Sequence, residues 1–265
     1  MSRHLSRREF AKASAASAVA VSMSSTASAV PPSDKVRVGF VGVGNRGSQL
    51  MKAFATQDDC EFIGVADVYE PYRARARENF GANLVAVEDY RKLLERKDID
   101  AIVIATPDHW HAIQAIAAMS AGKDVYVEKP LSVTIHEGRQ MVEAAKRYNR
   151  ISQVGLHRRS MKLYRNLADF VSTDQLGKIT VSRAYRLNNM FPDGIGQMPY
   201  QNPPADLNWD LWLGPRPKQA YQENIAPYKF RWWQRFSSQM GNWGVHYFDT
   251  IRWMLGETAP SSVVA

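Results

Sequence analysis

Short apolar runs alternate with helix-like segments along residues 34–155. The runs are rich in β-branched and aromatic residues, as buried strands are, and lie at Val36–Val41, Phe62–Ala66, Ala101–Ala105, Asp124–Val127 and Ile151–Val154. Segments with a helical period follow several of them, at Ser48–Ala55, Ala112–Ala121 and Ile135–Tyr148. Strands that alternate with helices form parallel sheets covered on both faces. The pattern therefore predicts a doubly wound α/β domain over residues 34–155.

A glycine-rich turn follows the first predicted strand. Gly42, Gly44 and Gly47 form a Gly-x-Gly-x-x-Gly motif, with Asn45 and Arg46 between the last two glycines. The first glycine permits a tight turn, the second lets the backbone approach a pyrophosphate, and the third lets the helix pack closely on the strand. The helix N-terminus adds N–H groups and a positive dipole. We predict a dinucleotide-binding site of the Rossmann type, with all five residues at the cofactor.

An acidic residue ends the second predicted strand. Asp67 stands twenty residues after Gly47, where a carboxylate can accept hydrogen bonds from an adenosine ribose. The same carboxylate disfavours a 2′-phosphate, so NAD is expected rather than NADP. Arg73 and Arg75 follow closely in sequence and keep NADP open as the alternative.

Two later strands end in polar segments, Thr106–His111 and Glu128–Pro130. Ligands of doubly wound sheets bind at the carboxyl edge, where such segments meet. Pro130 stops its strand and leaves Lys129 at this edge. By spacing alone, a lysine there is more often simply exposed. The histidines at 109 and 111 lack a further nearby ligand, so we predict no metal site and expect this segment to form a wall of the nicotinamide or ribose pocket.

Residues 156–265 have a different pattern. Lys178–Arg186 alternates as a sheet strand does, Asn188–Pro204 is a loop rich in Gly, Pro and Asn, and Gln239–Leu255 has helical character. We predict a second domain with helices and strands over residues 156–265. Its aromatic residues, Trp209 and Trp232 among them, offer flat faces to the C–H surface of a sugar, with core packing as the alternative for each.

The first 29 residues predict an export signal. Ser6–Lys12 contains a twin arginine, an alanine-rich run follows, and Ala27–Ala29 has the form of a cleavage site. A disordered basic tail is the alternative, since the apolar run is too short to span a membrane. We therefore expect export by the twin-arginine machinery and a periplasmic location, with the cofactor held tightly after loading in the cytoplasm.

Charge and cysteine content restrict the remaining functions. The net charge is +8, of which residues 1–29 carry +3, and the other charges are dispersed. We therefore expect no nucleic-acid partner. The single cysteine, Cys60, excludes an intrachain disulfide.

Three blocks of the sequence together resemble the Gfo/Idh/MocA oxidoreductases, the glucose–fructose oxidoreductase and inositol dehydrogenase superfamily. They are Gly42–Gly47, Ala105–His111 and Ala121–Pro130. The resemblance implies that Lys129 is the active-site lysine. It also implies that a set of neighbouring residues lies along the cofactor: Thr106, Pro107, His109, Trp110, Glu128 and Lys129.

The resemblance also bears on the predicted helix Gln239–Leu255. Asn242 and His246 are four residues apart and share one helical face. Family members commonly have Asp-x-x-x-His here, with the histidine as the proton-transfer residue, so we assign His246 that role. Asn242 departs from the pattern, because an amide can orient a hydroxyl but cannot accept a proton. Arg159 lies just after the predicted domain boundary and is a candidate substrate contact, with a solvated turn as the alternative.

The resemblance further implies an open, mostly antiparallel sheet in the second domain that often forms an oligomer interface. We therefore expect an incomplete C-terminus and a homo-oligomer at full length. The main functional hypothesis is an NAD(P)-dependent oxidoreductase acting on a sugar or polyol hydroxyl. Two alternatives stay open: redox-assisted cleavage of a glycosidic bond without net redox, and a non-catalytic sugar- or nucleotide-binding protein.

Overall fold

A parallel six-stranded sheet forms the first half of the protein. The computed structural model describes residues 35–173, 175–187 and 193–264. The strands are β1 (Val36–Val41), β2 (Cys60–Ala66), β3 (Val85–Val87), β4 (Ala101–Ile104), β5 (Asp124–Glu128) and β6 (Ser152–Gly155). Their order is β3-β2-β1-β4-β5-β6 and every pair is parallel. The order reverses between β1 and β4, and doubly wound sheets bind ligands at such a switch point. The sheet confirms the predicted Rossmann-type domain.

Five helices connect these strands, and the residues described after the sheet form three more. The connecting helices are α1 (Asn45–Phe54), α2 (Glu70–Phe80), α3 (Arg91–Leu94), α4 (Asp108–Ser120) and α5 (Ile135–Arg147). The later helices are α6 (Lys162–Val171), α7 (Trp209–Leu213) and α8 (Val245–Leu255). Local sequence explains several of their starts. Thr134 and Glu137 form a reciprocal capping box before α5, and Asn208 Oδ1 accepts the Leu211 N–H before α7.

Alternate residues of the strands fill two apolar cores, one on each face of the sheet. Val41 and Ile104 pack with the alanines of α4, whereas Phe40 and Val103 pack with Leu50 and Met51 of α1. Because successive strand side chains point to opposite faces, these near-continuous apolar runs serve both cores. A sheet packed on both faces holds its carboxyl edge rigidly.

The second half of the described chain contains helices and turns but no strand. Short 3₁₀ turns occupy His157–Ser160 and Lys229–Trp232, and a π-helical turn, Met240–Gly244, leads into α8. The prediction of a strand at Lys178–Arg186 is wrong, and the predicted open antiparallel sheet is not supported. Val181 and Tyr185 are 63% and 67% exposed. Alternation produces a strand only where a neighbouring strand pairs with it and one face is buried.

A third apolar core lies in this second half, around Trp209, Trp212, Tyr221 and Phe236.

Within the described ranges, no helix has both the length and the apolar character that crossing a membrane requires. The predicted signal, residues 1–29, falls outside the described residues, as does part of the loop Asn188–Pro204. The signal therefore stays a prediction.

Candidate active site

A cleft of about 600 Å³ opens at the carboxyl edge of the sheet. The glycine turn after β1 and the ends of β2, β4 and β5 form one side, and residues from the second half form the other. All the predicted cofactor residues line it except Gly47 and His109. Those on the wall are Gly42, Gly44, Asn45, Arg46, Asp67, Thr106, Pro107, Trp110, Glu128 and Lys129. All three predicted catalytic residues, Lys129, Asn242 and His246, line it as well.

Close packing explains two of the glycines. Gly42 has a φ of +81°, and a Cβ there would lie 2.7 Å from the Thr106 nitrogen. At Gly47 a Cβ would lie 2.0 Å from the Gly42 carbonyl oxygen, which is far below contact distance. Gly47 therefore acts from behind the cleft, by letting α1 approach the turn, as the motif predicts.

Asp67 fixes the glycine turn through its side chain. One carboxylate oxygen accepts the Val43 N–H at 2.8 Å and the other accepts the Tyr69 N–H at 3.0 Å. Burial raises the pKa of Asp67 to about 6, although these N–H groups oppose the rise. Both carboxylate oxygens of Asp67 thus already accept hydrogen bonds from the backbone. The side chain also lines the cleft, at the place where a ribose is expected.

An ion pair joins α1 to the end of β5. Arg46 Nε donates to Glu128 Oε1 at 2.7 Å, and the Glu128 side chain is only 4% exposed. This pair neutralises the Glu128 carboxylate next to Lys129. It also fixes the first turn of α1 against the strand that carries the lysine.

Lys129 contacts Asn242 across the cleft. Its Nζ donates to the Asn242 backbone carbonyl at 3.1 Å and to Asn242 Oδ1 at 3.2 Å. Burial lowers the pKa of Lys129, while the nearby carboxylates of Asp108 and Glu128 oppose the change. Asn242 therefore holds the lysine with two neutral oxygens and adds no charge. The π-helical turn brings both oxygens to one place, as such turns often do at functional sites.

His246 lies beside this pair and is buried. Burial lowers its pKa to about 4, helped by the positive charge of Lys129. His246 Nδ1 has no hydrogen-bond partner among the described residues. The ring centroid of His157 lies 4.7 Å away, with the two rings nearly perpendicular. His246 is thus neutral near pH 7 and able to accept a proton.

We expect the pKa of His246 to depend on Lys129. Replacing Lys129 by glutamine removes the positive charge that lowers this pKa, so the pKa should rise from about 4. The histidine ring resonances, followed by NMR as a function of pH, would measure the change. Lys123→Gln is the matched control, since Lys123 lies at the other end of β5. An unchanged titration in Lys129→Gln would contradict this electrostatic coupling.

Other predicted residues connect the two halves of the structure. His109 Nε2 and Trp110 Nε1 each lie 3.0 Å from the Trp212 carbonyl oxygen, and Trp110 donates to it. Burial lowers the pKa of His109 to about 4, so the ring is neutral and donates through Nε2. His109 therefore connects the two halves from a buried position, behind the part of the cleft wall that Trp110 forms.

The structure separates the predicted substrate residues. Trp232 lines the cleft, together with Asn242 and His246. Trp209 instead stacks on Trp212 in the third core and donates to the Gln219 carbonyl at 2.8 Å. Arg159 is an exposed partner of Asp249, at 2.7 Å, and does not line the cleft. The 3₁₀ turn explains this placement, because it aims His157 at the cleft and Arg159 at α8.

The two tryptophans should respond differently to substitution. Trp209→Leu should lower the free energy of unfolding by about 2 kcal/mol and leave KM unchanged, because the ring is core. Trp232→Leu should raise KM several-fold with little loss of stability. Urea unfolding and steady-state kinetics would measure both effects. A raised KM in Trp209→Leu with no loss of stability would contradict the placement.

Sequence reasoning missed several residues of the cleft wall. Tyr72, Arg186 and Arg231 line it. His157 also lines it and belongs to the same segment after the predicted boundary as Arg159, for which a substrate contact is one of the two interpretations. No local pattern distinguishes these side chains from other surface residues, since chain packing alone brings them together. In the part of the chain that the structure describes, no three His, Cys, Asp or Glu side chains gather as a metal site would.

The cleft fits a dinucleotide. Gly42 and Gly47 leave no room for a Cβ, and no described side chain caps the N-terminus of α1. The first-turn N–H groups of α1 are thus left for phosphate oxygens. Asp67 stands at the end of the neighbouring strand. Fold and site together define a dinucleotide-binding protein of the doubly wound class.

Comparison with known proteins identifies the family. The model of the Gfo/Idh/MocA oxidoreductase family, NAD-binding Rossmann fold, matches residues 36–156. The model of the family's C-terminal alpha/beta domain matches residues 163–265. This chain belongs to the Gfo/Idh/MocA oxidoreductase family, and its first domain is an NAD(P)-binding Rossmann fold.

Individual relatives cover parts of the chain. A glycosyl hydrolase family 109 protein of Shewanella sp. (strain W3-18-1) is 39% identical over 125 residues, which are 44% of this chain and 27% of that protein. The chain thus matches about a quarter of the length of such curated relatives. Apo scyllo-inositol dehydrogenase from Lactobacillus casei is 27% identical with a TM-score of 0.52, covering 55% of this chain and 44% of that one. The WlbA dehydrogenase of Chromobacterium violaceum, in complex with NADH and UDP-GlcNAcA, is 25% identical with a TM-score of 0.52, covering 56% and 43%.

Proposed function

We propose that this protein is an exported NAD(P)-dependent oxidoreductase that transfers hydride between a tightly held nicotinamide cofactor and a secondary hydroxyl of a sugar, sugar derivative or polyol. The contact between Lys129 Nζ and Asn242, beside His246 in the nucleotide cleft, carries the proposal. The dehydrogenase names of the similar solved structures support this reaction class. The twin-arginine segment supports export and a periplasmic location.

The residues divide the proton chemistry between them. A bound nicotinamide supplies the hydride acceptor or donor. Lys129 Nζ donates a hydrogen bond to the reacting oxygen and stabilises negative charge there. The His246 imidazole accepts the hydroxyl proton in oxidation and returns it in reduction. Asn242 holds Nζ in place and orients the hydroxyl, and Trp232 packs on the sugar.

A second candidate keeps the site and changes the net reaction. The glycosyl hydrolase family 109 names of the curated relatives favour it. In this reaction the sugar hydroxyl is oxidised transiently, the glycosidic bond is cleaved by elimination or hydrolysis, and the hydride is then returned. The proton steps at Lys129 and His246 are the same. The match to those relatives spans 44% of this chain, so it supports the alternative weakly.

Release of bound nucleotide tests both candidates. The purified mature protein is denatured and the supernatant analysed by mass spectrometry, and a panel of sugars and p-nitrophenyl glycosides is then added to the native protein. A stoichiometric amount of bound NAD that is reduced when a sugar is added supports the oxidoreductase. Release of p-nitrophenol without net NADH supports the second candidate. A protein that holds no nucleotide and does not bind added NAD or NADP contradicts both.

A further inference from the structure

Two arginines lie over aromatic rings in the wall of the cleft. Arg186 Cζ is 3.9 Å from the ring centroid of Trp243, and Arg231 Cζ is 3.8 Å from that of Tyr228. All four side chains line the cleft. Stacking of this kind holds a guanidinium in one plane and fixes its direction.

Neither arginine has a carboxylate partner within the described ranges. The ion pairs found there involve other arginines and two lysines, Lys92 and Lys218, and the acidic groups nearest Lys129 already have partners. Glu128 accepts from Arg46 at 2.7 Å, and Asp108 accepts from the Ser237 hydroxyl. Among the described residues, no carboxylate therefore forms an ion pair with either stacked guanidinium group.

Both arginines flank the proposed reaction centre. Trp243, under Arg186, has its ring centroid 6.3 Å from that of His246 and follows Asn242 directly in sequence. Arg231 is close enough for its charge to lower the pKa of Lys129. Both positive charges thus line the same cleft as Lys129 and His246.

Stacking changes what these rings can bind. A guanidinium that covers a ring face occupies the surface on which the C–H face of a neutral sugar would pack. It leaves the in-plane N–H groups free, and these match the two oxygens of a carboxylate or phosphate. We infer that the substrate is a sugar bearing an anionic oxygen group, a carboxylate or a phosphate, which Arg186 and Arg231 bind while Lys129 meets the reacting hydroxyl. This inference rests on the proposed function and specifies its substrate class.

Calorimetry on the nucleotide-loaded mature protein tests this inference. Glucuronate, glucose 6-phosphate and glucose serve as carboxylate, phosphate and neutral probes. At least one anionic probe should bind about tenfold or more tightly than glucose, as expected for charge-assisted hydrogen bonds. Arg186→Gln and Arg231→Gln should each remove about that factor. Arg186→Lys should keep part of it, since the charge stays and the planar fork is lost.

Arg158→Gln is the matched control, because Arg158 also stacks on aromatic rings, those of Tyr164 and Tyr247, but does not line the cleft. It should bind every probe as the parent protein does. Equal binding of anionic and neutral probes, or failure of both anionic probes to bind, overturns the inference. A loss of nucleotide affinity in Arg186→Gln and Arg231→Gln, with sugar binding unchanged, assigns the arginines to the cofactor and also overturns it. If nucleotide binds and only neutral sugars reduce it, the inference fails while the proposed function stands.

Discussion

Replacing Lys129 with methionine should lower the rate of hydride transfer about a thousandfold and leave the affinity for the nucleotide nearly unchanged. The ammonium group is the cationic donor that Asn242 holds with two oxygens in the cleft. Methionine keeps an unbranched chain of similar length but cannot donate a hydrogen bond or stabilise charge on the reacting oxygen. Single-turnover reduction of bound nucleotide, together with nucleotide titration by fluorescence, separates the two effects.

Lys123 provides the matched control for this experiment. It is also buried, but its Nζ donates to the carbonyl oxygens of Arg96 and Ile99, near the amino end of β5. Lys123→Met should therefore cost about 2 kcal/mol of stability, by leaving buried carbonyls unpaired, and keep the rate of the folded enzyme. Equal rates in Lys129→Met and the parent protein would refute the catalytic assignment of Lys129.

Replacing Gly47 with alanine should weaken nucleotide binding at least about a hundredfold and lower the free energy of unfolding by about 3 kcal/mol. The added Cβ would lie 2.0 Å from the Gly42 carbonyl oxygen, so α1 and the glycine turn must move apart. The displacement removes the first-turn N–H groups from the place that the phosphates need. Urea unfolding and isothermal titration with NAD and NADP measure the two quantities.

Gly138→Ala is the control, because it makes the same change in the first turns of another helix, α5. The nearest atom to its Cβ would be the Ser132 hydroxyl oxygen, at 3.1 Å, which a rotation of that side chain can relieve. Alanine is the better helix former, so this variant should be neutral or up to about 1 kcal/mol more stable, with unchanged nucleotide affinity. Full nucleotide affinity in Gly47→Ala would contradict the packing argument.

The first half of the fold could be predicted from the sequence because its strands are buried on both faces. Val36–Val41 and Ala101–Ile104 are nearly all apolar, so their pattern does not depend on register with a partner. Helix α2 was not singled out, because most of Glu70–Phe80 faces solvent and only Ala76 is buried. The strand at Lys178–Arg186 failed for the opposite reason, since a half-buried strand depends on neighbours that its own sequence does not specify.

The residues of the site also fall into those that the sequence could place and those that only packing places. The glycines, Asp67 and Lys129 stand at fixed positions relative to strands, so their spacing places them at the sheet edge. The directions of Trp209 and Trp232 are set by packing within the second half, and no local pattern distinguishes the core residue from the cleft residue. The role of Asn242 toward Lys129 depends on a contact between residues 113 positions apart. Such a contact is invisible in the helical spacing that pairs Asn242 with His246.

The contact of His109 and Trp110 with Trp212 has a consequence for chimeric proteins. His109 and Trp110 both hydrogen-bond to the main-chain oxygen of Trp212, at 3.0 Å, and the His109 ring also packs against the Trp212 ring, with centroids 5.3 Å apart. Every amino acid carries that oxygen, so a second half exchanged from a relative keeps these two hydrogen bonds if its backbone follows the same path. The ring contact with His109 needs an aromatic residue at this position. The first half must supply the imidazole and the indole from one helix, and the second half must keep glycine at position 214, where a Cβ would lie 2.0 Å from the Trp110 ring. Recombination across this boundary is therefore limited by both halves, by His109 and Trp110 in the first and by Trp212 and Gly214 in the second.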